Sequence, residues 1–186
     1  MKFNYKGRVI RFQKGQSGFT MIELLATIGV ILVLTAVGFG VYRFVNSGSR
    51  AVATESSLMT LLTNAREMKG LSSVYTGISA ANLISLDKAP ADMISGTGLV
   101  NRWGGAVTVS AASFGAGTDN ALAITLDKVP TSECSSVISA TAQAFQEITV
   151  GTTTVKDVPN GVEPTPALLA AGCGGATENL ITFTSI

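Results

Sequence analysis

An apolar run without any charged side chain constrains this chain more than any other feature. The run extends from Leu24 to Val41, inside a longer apolar stretch from Phe19 to Val45. As a helix, the longer stretch would measure roughly 40 Å at about 1.5 Å per residue. The hydrocarbon core of a bilayer is about 30 Å thick. The sequence therefore predicts one membrane-spanning helix near the N-terminus.

The charges on either side of this run predict its orientation. Residues 1–18 contain five basic residues and no acidic one, so the other 168 residues carry 8 basic and 12 acidic side chains, a net charge of −4. Positive charge beside a membrane helix is retained in the cytoplasm, which places the residues beyond Tyr42 outside. A mildly acidic body also argues against nucleic-acid binding, which usually needs a basic face.

The N-terminal segment does not have the form of an ordinary secretory signal. Its apolar stretch is too long, and the residues behind it, "GVYRFVNSGS", contain no small-x-small cleavage site. The plausible processing signal lies in front of the stretch, at Ser17-Gly18-Phe19. A glycine lets the backbone enter a protease cleft without a side chain in the way.

The string "GFTMIELL" at residues 18–25, behind a basic leader, resembles the class III signal of type IV pilins and type II secretion pseudopilins. The resemblance implies cleavage between Gly18 and Phe19 by a prepilin peptidase and N-methylation of Phe19. It divides the chain into a leader at 1–18, a transmembrane and assembly half-helix at 19–45, and a globular head at 46–186. It also implies an inner-membrane assembly machinery as a partner, with the head periplasmic before assembly and extracellular in the pilus afterwards.

Glu23 is an isolated carboxylate at the mouth of the apolar stretch, where a charge is costly and a partner is expected. Cleavage would create an ammonium at Phe19, where a helix N-terminus adds positive potential. Glu23 could neutralise the amine of its own chain or, as the resemblance implies, that of a neighbouring subunit, which would set the axial register of a filament. The alternative is a plain anchor whose carboxylate reaches the lipid headgroups.

The two cysteines, Cys134 and Cys173, both follow the membrane segment. An even pair on the oxidising side of a membrane favours one disulfide, although two free thiols remain possible. The chain has no histidine, and the cysteines form no zinc pattern. We therefore predict no metal, no cofactor and no catalytic site, and we interpret Trp103 as a core anchor rather than an exposed receptor contact.

Hydrophobic periodicity predicts the elements of the head. We expect the first helix to continue past the membrane. After a soft spot at residues 46–50, residues 51–69 have the pattern of an amphipathic helix, and residues 70–105 resemble a loop region with one short helix. The elements predicted beyond residue 70 are a helix near Ala80–Leu86, strands at Ala106–Ser110 and Ala121–Leu126, a helix capped by Thr131 or Ser132, a hairpin about Gly151, a short helix in "PTPALLAAGC" and a last strand in "NLITFTSI".

The order of "N-x-W-G-G", two strands, a cysteine at a helix start and a second cysteine before a last strand resembles the type IVb pilins, the class of the toxin-coregulated and thin conjugative pili. The resemblance implies an α+β fold in which a long N-terminal helix packs against an antiparallel sheet. It implies a structural subunit that polymerises with its own copies for adhesion, aggregation or conjugation. The alternatives are a minor pilin or pseudopilin and, from another class, a membrane-anchored periplasmic enzyme or binding domain.

Overall fold

The computed structural model describes residues 20–69 and 73–186, without the side chains of residues 40–48. These residues form two compact units divided after Tyr42, and helix α1 (Met21–Lys69) contributes to both. The predicted leader and the cleavage and methylation positions at Gly18 and Phe19 lie outside the described residues.

The first unit contains the apolar part of α1. Residues Met21–Phe39 form a 19-residue span with a mean hydropathy of 2.3, long and apolar enough to cross a membrane, and none of the span is buried. The hydroxyls of Thr27 and Thr35 donate to carbonyls of the preceding turn, at 2.8 Å to Leu24 O and 2.9 Å to Leu32 O. This satisfies their polar groups within the helix, as a lipid or protein environment without water requires.

The first helix continues past the apolar span, as the sequence predicts, and α1 stays helical through the soft spot at residues 46–50. A glycine costs only about 1 kcal/mol relative to alanine in a helix interior. Once a helix is nucleated, each further residue adds its own backbone hydrogen bond. The regular helix on both sides therefore outweighs the weak propensity of "NSGSR".

The second unit is built on a seven-stranded antiparallel sheet in the order β1-β2-β3-β4-β7-β5-β6. Its strands are β1 (Ile94–Ser95), β2 (Gly98–Val100), β3 (Ala106–Ala112), β4 (Ala121–Pro130), β5 (Glu147–Val150), β6 (Thr153–Asp157) and β7 (Glu178–Ser185). Its shorter helices are α2 (Ala80–Ser85), α3 (Thr131–Thr141) and α4 (Pro166–Cys173), with 3-10 turns at Ala91–Met93 and Ala142–Ala144.

The core of the second unit lies between one face of the sheet and the helices. The buried stripe of α1 follows the predicted helical period, since Leu58, Leu61, Leu62 and Ala65 are at most 3% exposed. Strands β4 and β7 supply alternate residues to the same core, and the rings of Phe145 and Phe183 lie 5.0 Å apart. The long N-terminal helix and antiparallel sheet of the predicted α+β fold are confirmed.

Two predicted details of the head are wrong. The segment 70–105 contains a hairpin of β1 and β2, which are too short to produce a clear alternation. Helix α3 has Pro130 at its cap position without a side-chain hydrogen bond. Thr131, predicted as a cap, instead donates its hydroxyl to Ala176 O and its N–H to Thr177 O, so it fastens the helix start to the segment before β7.

Candidate functional site

Glu23 lies in the first turn of α1, at the entrance to the apolar span. Its backbone N–H donates to Thr20 O at 3.0 Å and to Thr20 Oγ1 at 3.3 Å, so Thr20 caps the helix start. The Glu23 side chain is exposed, and no described basic group forms an ion pair with it. The partial positive charge of a helix N-terminus favours a carboxylate here. The Glu23 carboxylate nevertheless remains available to pair with a cation of another molecule.

The surface around Glu23 is apolar on all sides of the helix. Met21 is 83% exposed and Ile22 77%, and every described side chain from 21 to 39 is exposed. A helix that is hydrophobic all round belongs in lipid or among other helices. Apart from the Glu23 carboxylate, the first unit therefore presents an apolar surface suited to contact with lipid or other helices.

The disulfide joins Cys134 in the first turn of α3 to Cys173 at the end of α4. Their Cα atoms lie 5.8 Å apart at a sequence separation of 39, and both residues are buried. The bond closes the segment that contains α3, β5, β6 and α4. This segment supplies one edge of the sheet, so the disulfide fixes that edge against the rest of the head.

The "NRWGG" motif at residues 101–105 folds a loop onto β4. The carbonyl oxygen of the Asn101 side chain accepts from Trp103 N at 3.0 Å and from Gly105 N at 2.9 Å, while its amide donates to Asp127 O at 2.5 Å. A Cβ at Gly105 would overlap the backbone carbonyl of Asp127. The motif is thus explained by a close approach between two backbone segments.

Trp103 connects this loop to the disulfide region. It packs against the core while partly buried, which agrees with its interpretation as an anchor, and its indole N–H donates to Glu133 Oε2 at 2.8 Å. Glu133 is only 7% exposed and lies in the first turn of α3, beside Cys134. Sequence reasoning missed Glu133, whose only signal is that of an acid at a helix start.

Three of the aspartates in or beside turns have local structural roles. Asp87 and Asp119 adopt left-handed φ values of 55° and 51° in turns, and Asp92 accepts from Ser57 Oγ at 2.8 Å and from Arg102 at 2.9 Å. Within residues 20–69 and 73–186, no three His, Cys, Asp or Glu side chains cluster in a way that could hold a metal ion.

Comparison with known proteins decides what kind of chain carries these features. The family profile described as PilS N terminal matches residues 48–186, three quarters of the chain. The chain belongs to the PilS family. A second profile, the prokaryotic N-terminal methylation motif, matches residues 13–39, the stretch that contains Gly18, Phe19 and Glu23.

Two solved structures resemble this PilS-family chain. TcpA, a type IV pilin from Vibrio cholerae El Tor biotype, matches with a TM-score of 0.58 and 16% identity over 74% of this chain and 99% of the solved TcpA chain. A type IVb pilin from Salmonella typhi matches with a TM-score of 0.54 and 24% identity over 70% of this chain and 96% of its own. A search of curated protein sequences gives no match. At these identities the two structures establish the fold.

Family, motif and fold together identify a type IV pilin, a structural subunit of a pilus. Pilins polymerise into filaments, so the exposed apolar span has a partner of its own kind. Such a chain is anchored in the membrane as a pilin and becomes part of an extracellular pilus.

Proposed function

We propose that this PilS-family pilin is the major, repeating subunit of its pilus and that Glu23 sets the stagger between neighbouring subunits. A prepilin peptidase cuts between Gly18 and Phe19, and the new N-terminus becomes N-methyl-Phe19. The ammonium of one subunit then pairs with Glu23 of a neighbour. The filament serves adhesion, aggregation or conjugation.

The observation that carries this proposal is the single exposed carboxylate at the start of a wholly exposed apolar helix. In an apolar bundle, an unpaired charge is strongly unfavourable, and breaking a buried pair costs about 3–5 kcal/mol. Sliding one helix along another by even one turn would leave both the ammonium and Glu23 unpaired. Apolar contacts alone would tolerate many staggers, so the charge pair selects one.

The same features support an orientation and a set of partners. The five basic residues of segment 1–18 favour a cytoplasmic N-terminus, with the head in the periplasm before assembly. The disulfide agrees with an oxidising compartment for the head. The partners are the prepilin peptidase, the inner-membrane assembly machinery and other copies of the chain.

A matched pair of substitutions on α1 tests the role of Glu23. Glu23→Gln removes the charge with little change in shape, and Glu55→Gln makes the same change in the part of α1 that belongs to the head. We expect Glu23→Gln to be cleaved normally but to lower the pilin in sheared filaments at least tenfold, whereas Glu55→Gln retains filaments. Equal filament yields from the two variants would contradict the register role.

A further inference from the structure

Two charged features lie on the face of the sheet that points away from the core, which we call the outer sheet face. A row of threonines crosses its centre, because the register pairs Thr108 with Thr125, Thr125 with Thr182, Thr182 with Thr149 and Thr149 with Thr154. An acidic pair lies at one end of this face and a lysine at the other. The centre of the face is polar but uncharged.

The acidic pair consists of Glu147 on β5 and Asp157 on β6, which are direct cross-strand partners. Like charges opposite each other destabilise a sheet by roughly 0.2–1 kcal/mol. Partial burial, and secondly the charge of Asp157, raise the pKa of Glu147. Asn160 donates two hydrogen bonds to the Asp157 carboxylate, but no described basic group forms an ion pair with either acid.

The one lysine near this pair in sequence cannot neutralise it. Lys156 is only 7% exposed, and its register partner is Ile148, so its side chain enters the core face. Its Nζ donates to Ala142 O at 2.5 Å, at the end of α3. Residues 129–186 contain no other basic residue and five acidic ones. The repulsion between Glu147 and Asp157 is therefore uncompensated within its own part of the chain.

Lys128 lies at the other end of the outer sheet face, in a bulge of β4. The register passes from Leu126–Ile181 to Val129–Asn179, so Asp127 and Lys128 together oppose Leu180. Lys128 has a φ of 55°, a left-handed conformation that costs a residue other than glycine about 1–2 kcal/mol. Bulges re-aim side chains, and this one exposes Lys128 beside Leu180, which is itself 46% exposed.

Lys128 and the acidic pair are too far apart to neutralise each other in one chain. Lys128 lies opposite Leu180 of β7 and Glu147 lies opposite Thr184, so four residue steps, or about 14 Å, separate them along the strand direction. Across the sheet they are two or three strand spacings of nearly 5 Å apart. The Debye length is about 8 Å at physiological salt. The two features therefore face outward as separate charges of opposite sign.

We infer that Lys128 of one subunit binds the Glu147–Asp157 pair of a second copy of this chain. The inference rests on the proposed function as a filament subunit. A contact between two different patches is heterologous, so it can be repeated without closing, as a filament requires. The exposed Leu180 beside Lys128 gives this contact an apolar centre within a polar rim.

Charge complementarity favours a second copy as the occupant. Residues 43–128 contain seven basic and six acidic residues, so this part of the chain carries the cations that residues 129–186 lack. Several of those cations are already engaged: Lys88 with Glu67, Arg102 with Asp92, and Arg66 with Ser185. Lys128 is exposed, and its Nζ forms no ion pair with a described acid, since the neighbouring Asp127 carboxylate accepts from the backbone N–H of Lys128 at 2.9 Å.

The first test uses one substitution that should stabilise the isolated subunit and weaken the filament. Glu147→Gln removes the like-charge repulsion and leaves the Asp157–Asn160 contacts in place. We expect the full chain in detergent to melt at a higher temperature, while its filaments dissociate at several-fold lower salt than wild-type filaments. A variant that melts higher and forms filaments of unchanged salt resistance would overturn the inference.

A charge exchange tests the partner. Glu147→Lys should lower filament yield several-fold by repelling Lys128 of the next copy, and adding Lys128→Glu should restore it. The control is Arg50→Glu, which makes the same change at another exposed base and should not restore assembly. Failure of Lys128→Glu to restore yield, or equal restoration by Arg50→Glu, would overturn the assignment.

A further control separates this inference from the proposed function. Glu163→Lys places the same charge change in the exposed loop between β6 and α4 and should form normal filaments. If the wild-type chain and Glu163→Lys form filaments, a failure of the charge exchange counts against the head contact alone. If the wild-type chain forms none under an active assembly machinery, the filament function itself fails.

Discussion

The indole N–H of Trp103 donates a 2.8 Å hydrogen bond to Oε2 of Glu133, a carboxylate that is 7% exposed at the start of α3. This single contact joins the "NRWGG" loop to the helix that carries Cys134. The contact agrees with the interpretation of Trp103 as a core anchor and makes this loop part of the framework of the head.

Trp103→Phe should destabilise the head because it removes the donor from a buried carboxylate. Loss of a hydrogen bond to a charged group costs about 1.5–3 kcal/mol. Denaturant unfolding of the full chain in detergent measures this loss. Glu133→Gln keeps an acceptor for the indole and should cost less. A loss below about 0.5 kcal/mol for Trp103→Phe would contradict a structural role for the contact.

Gly105→Ala should also destabilise the head, because its Cβ would overlap the backbone of Asp127. Overpacking of this kind costs about 1–3 kcal/mol. A Cβ at Gly98 in β2 would have no atom within 4 Å, so Gly98→Ala adds the same methyl group without overlap and is the matched control. The melting temperature of Gly105→Ala should be well below that of Gly98→Ala, and the reverse order would be incompatible with the loop geometry.

Removal of the disulfide by the double substitution Cys134→Ala and Cys173→Ala should lower the free energy of unfolding by about 4 kcal/mol in the chain-entropy model. Reduction of the wild-type protein provides the control without a change of side-chain volume. We expect filaments to be lost as the head destabilises. Unchanged melting of the double variant under oxidising conditions would show that the bond contributes nothing to stability.

The cross-strand pair of Glu147 and Asp157 predicts a pH dependence. Burial and the neighbouring carboxylate raise the folded-state pKa of Glu147 above its ordinary value of 4.5. The fold then favours the protonated acid, so stability is greatest below the unfolded pKa and falls as pH rises through the folded pKa. Glu147→Gln should raise stability at pH 7 by about 0.2–1 kcal/mol and leave it nearly unchanged at pH 4.

Unfolding at the two pH values measures this difference. Glu163→Gln, at an exposed loop residue, should leave the pH dependence of the wild-type chain in place. A Glu147→Gln variant whose stability falls with rising pH as steeply as that of the wild-type chain would show that Glu147 is not the responsible group.

The sequence predicted those elements of the head whose local signals agree with their surroundings. The amphipathic period of residues 51–69 identified the buried stripe through Leu58 and Ala65, and the short helix predicted in "PTPALLAAGC" is α4. The hairpin predicted from "EITV" and "TTTV" about Gly151 is formed by β5 and β6, and Gly151 has a φ of 57° in its turn. In each case one short stretch contains the whole signal.

Other features depend on residues far apart in sequence. The last strand, β7, lies between β4 and β5 near the centre of the sheet, and no local pattern gives that order. The contact between Asn101 and Asp127 and that between Trp103 and Glu133 each join residues more than twenty positions apart. At the soft spot of residues 46–50, the weak local helix propensity is outweighed by the regular helix on both sides.

The intact mass and N-terminal fragmentation of pilin sheared from the cell surface test the central claim most directly. We expect a chain that begins at Phe19, carries one added methyl group and is abundant in the sheared material. A chain that retains Met1 and stays wholly in the membrane of cells with an active prepilin peptidase would contradict it.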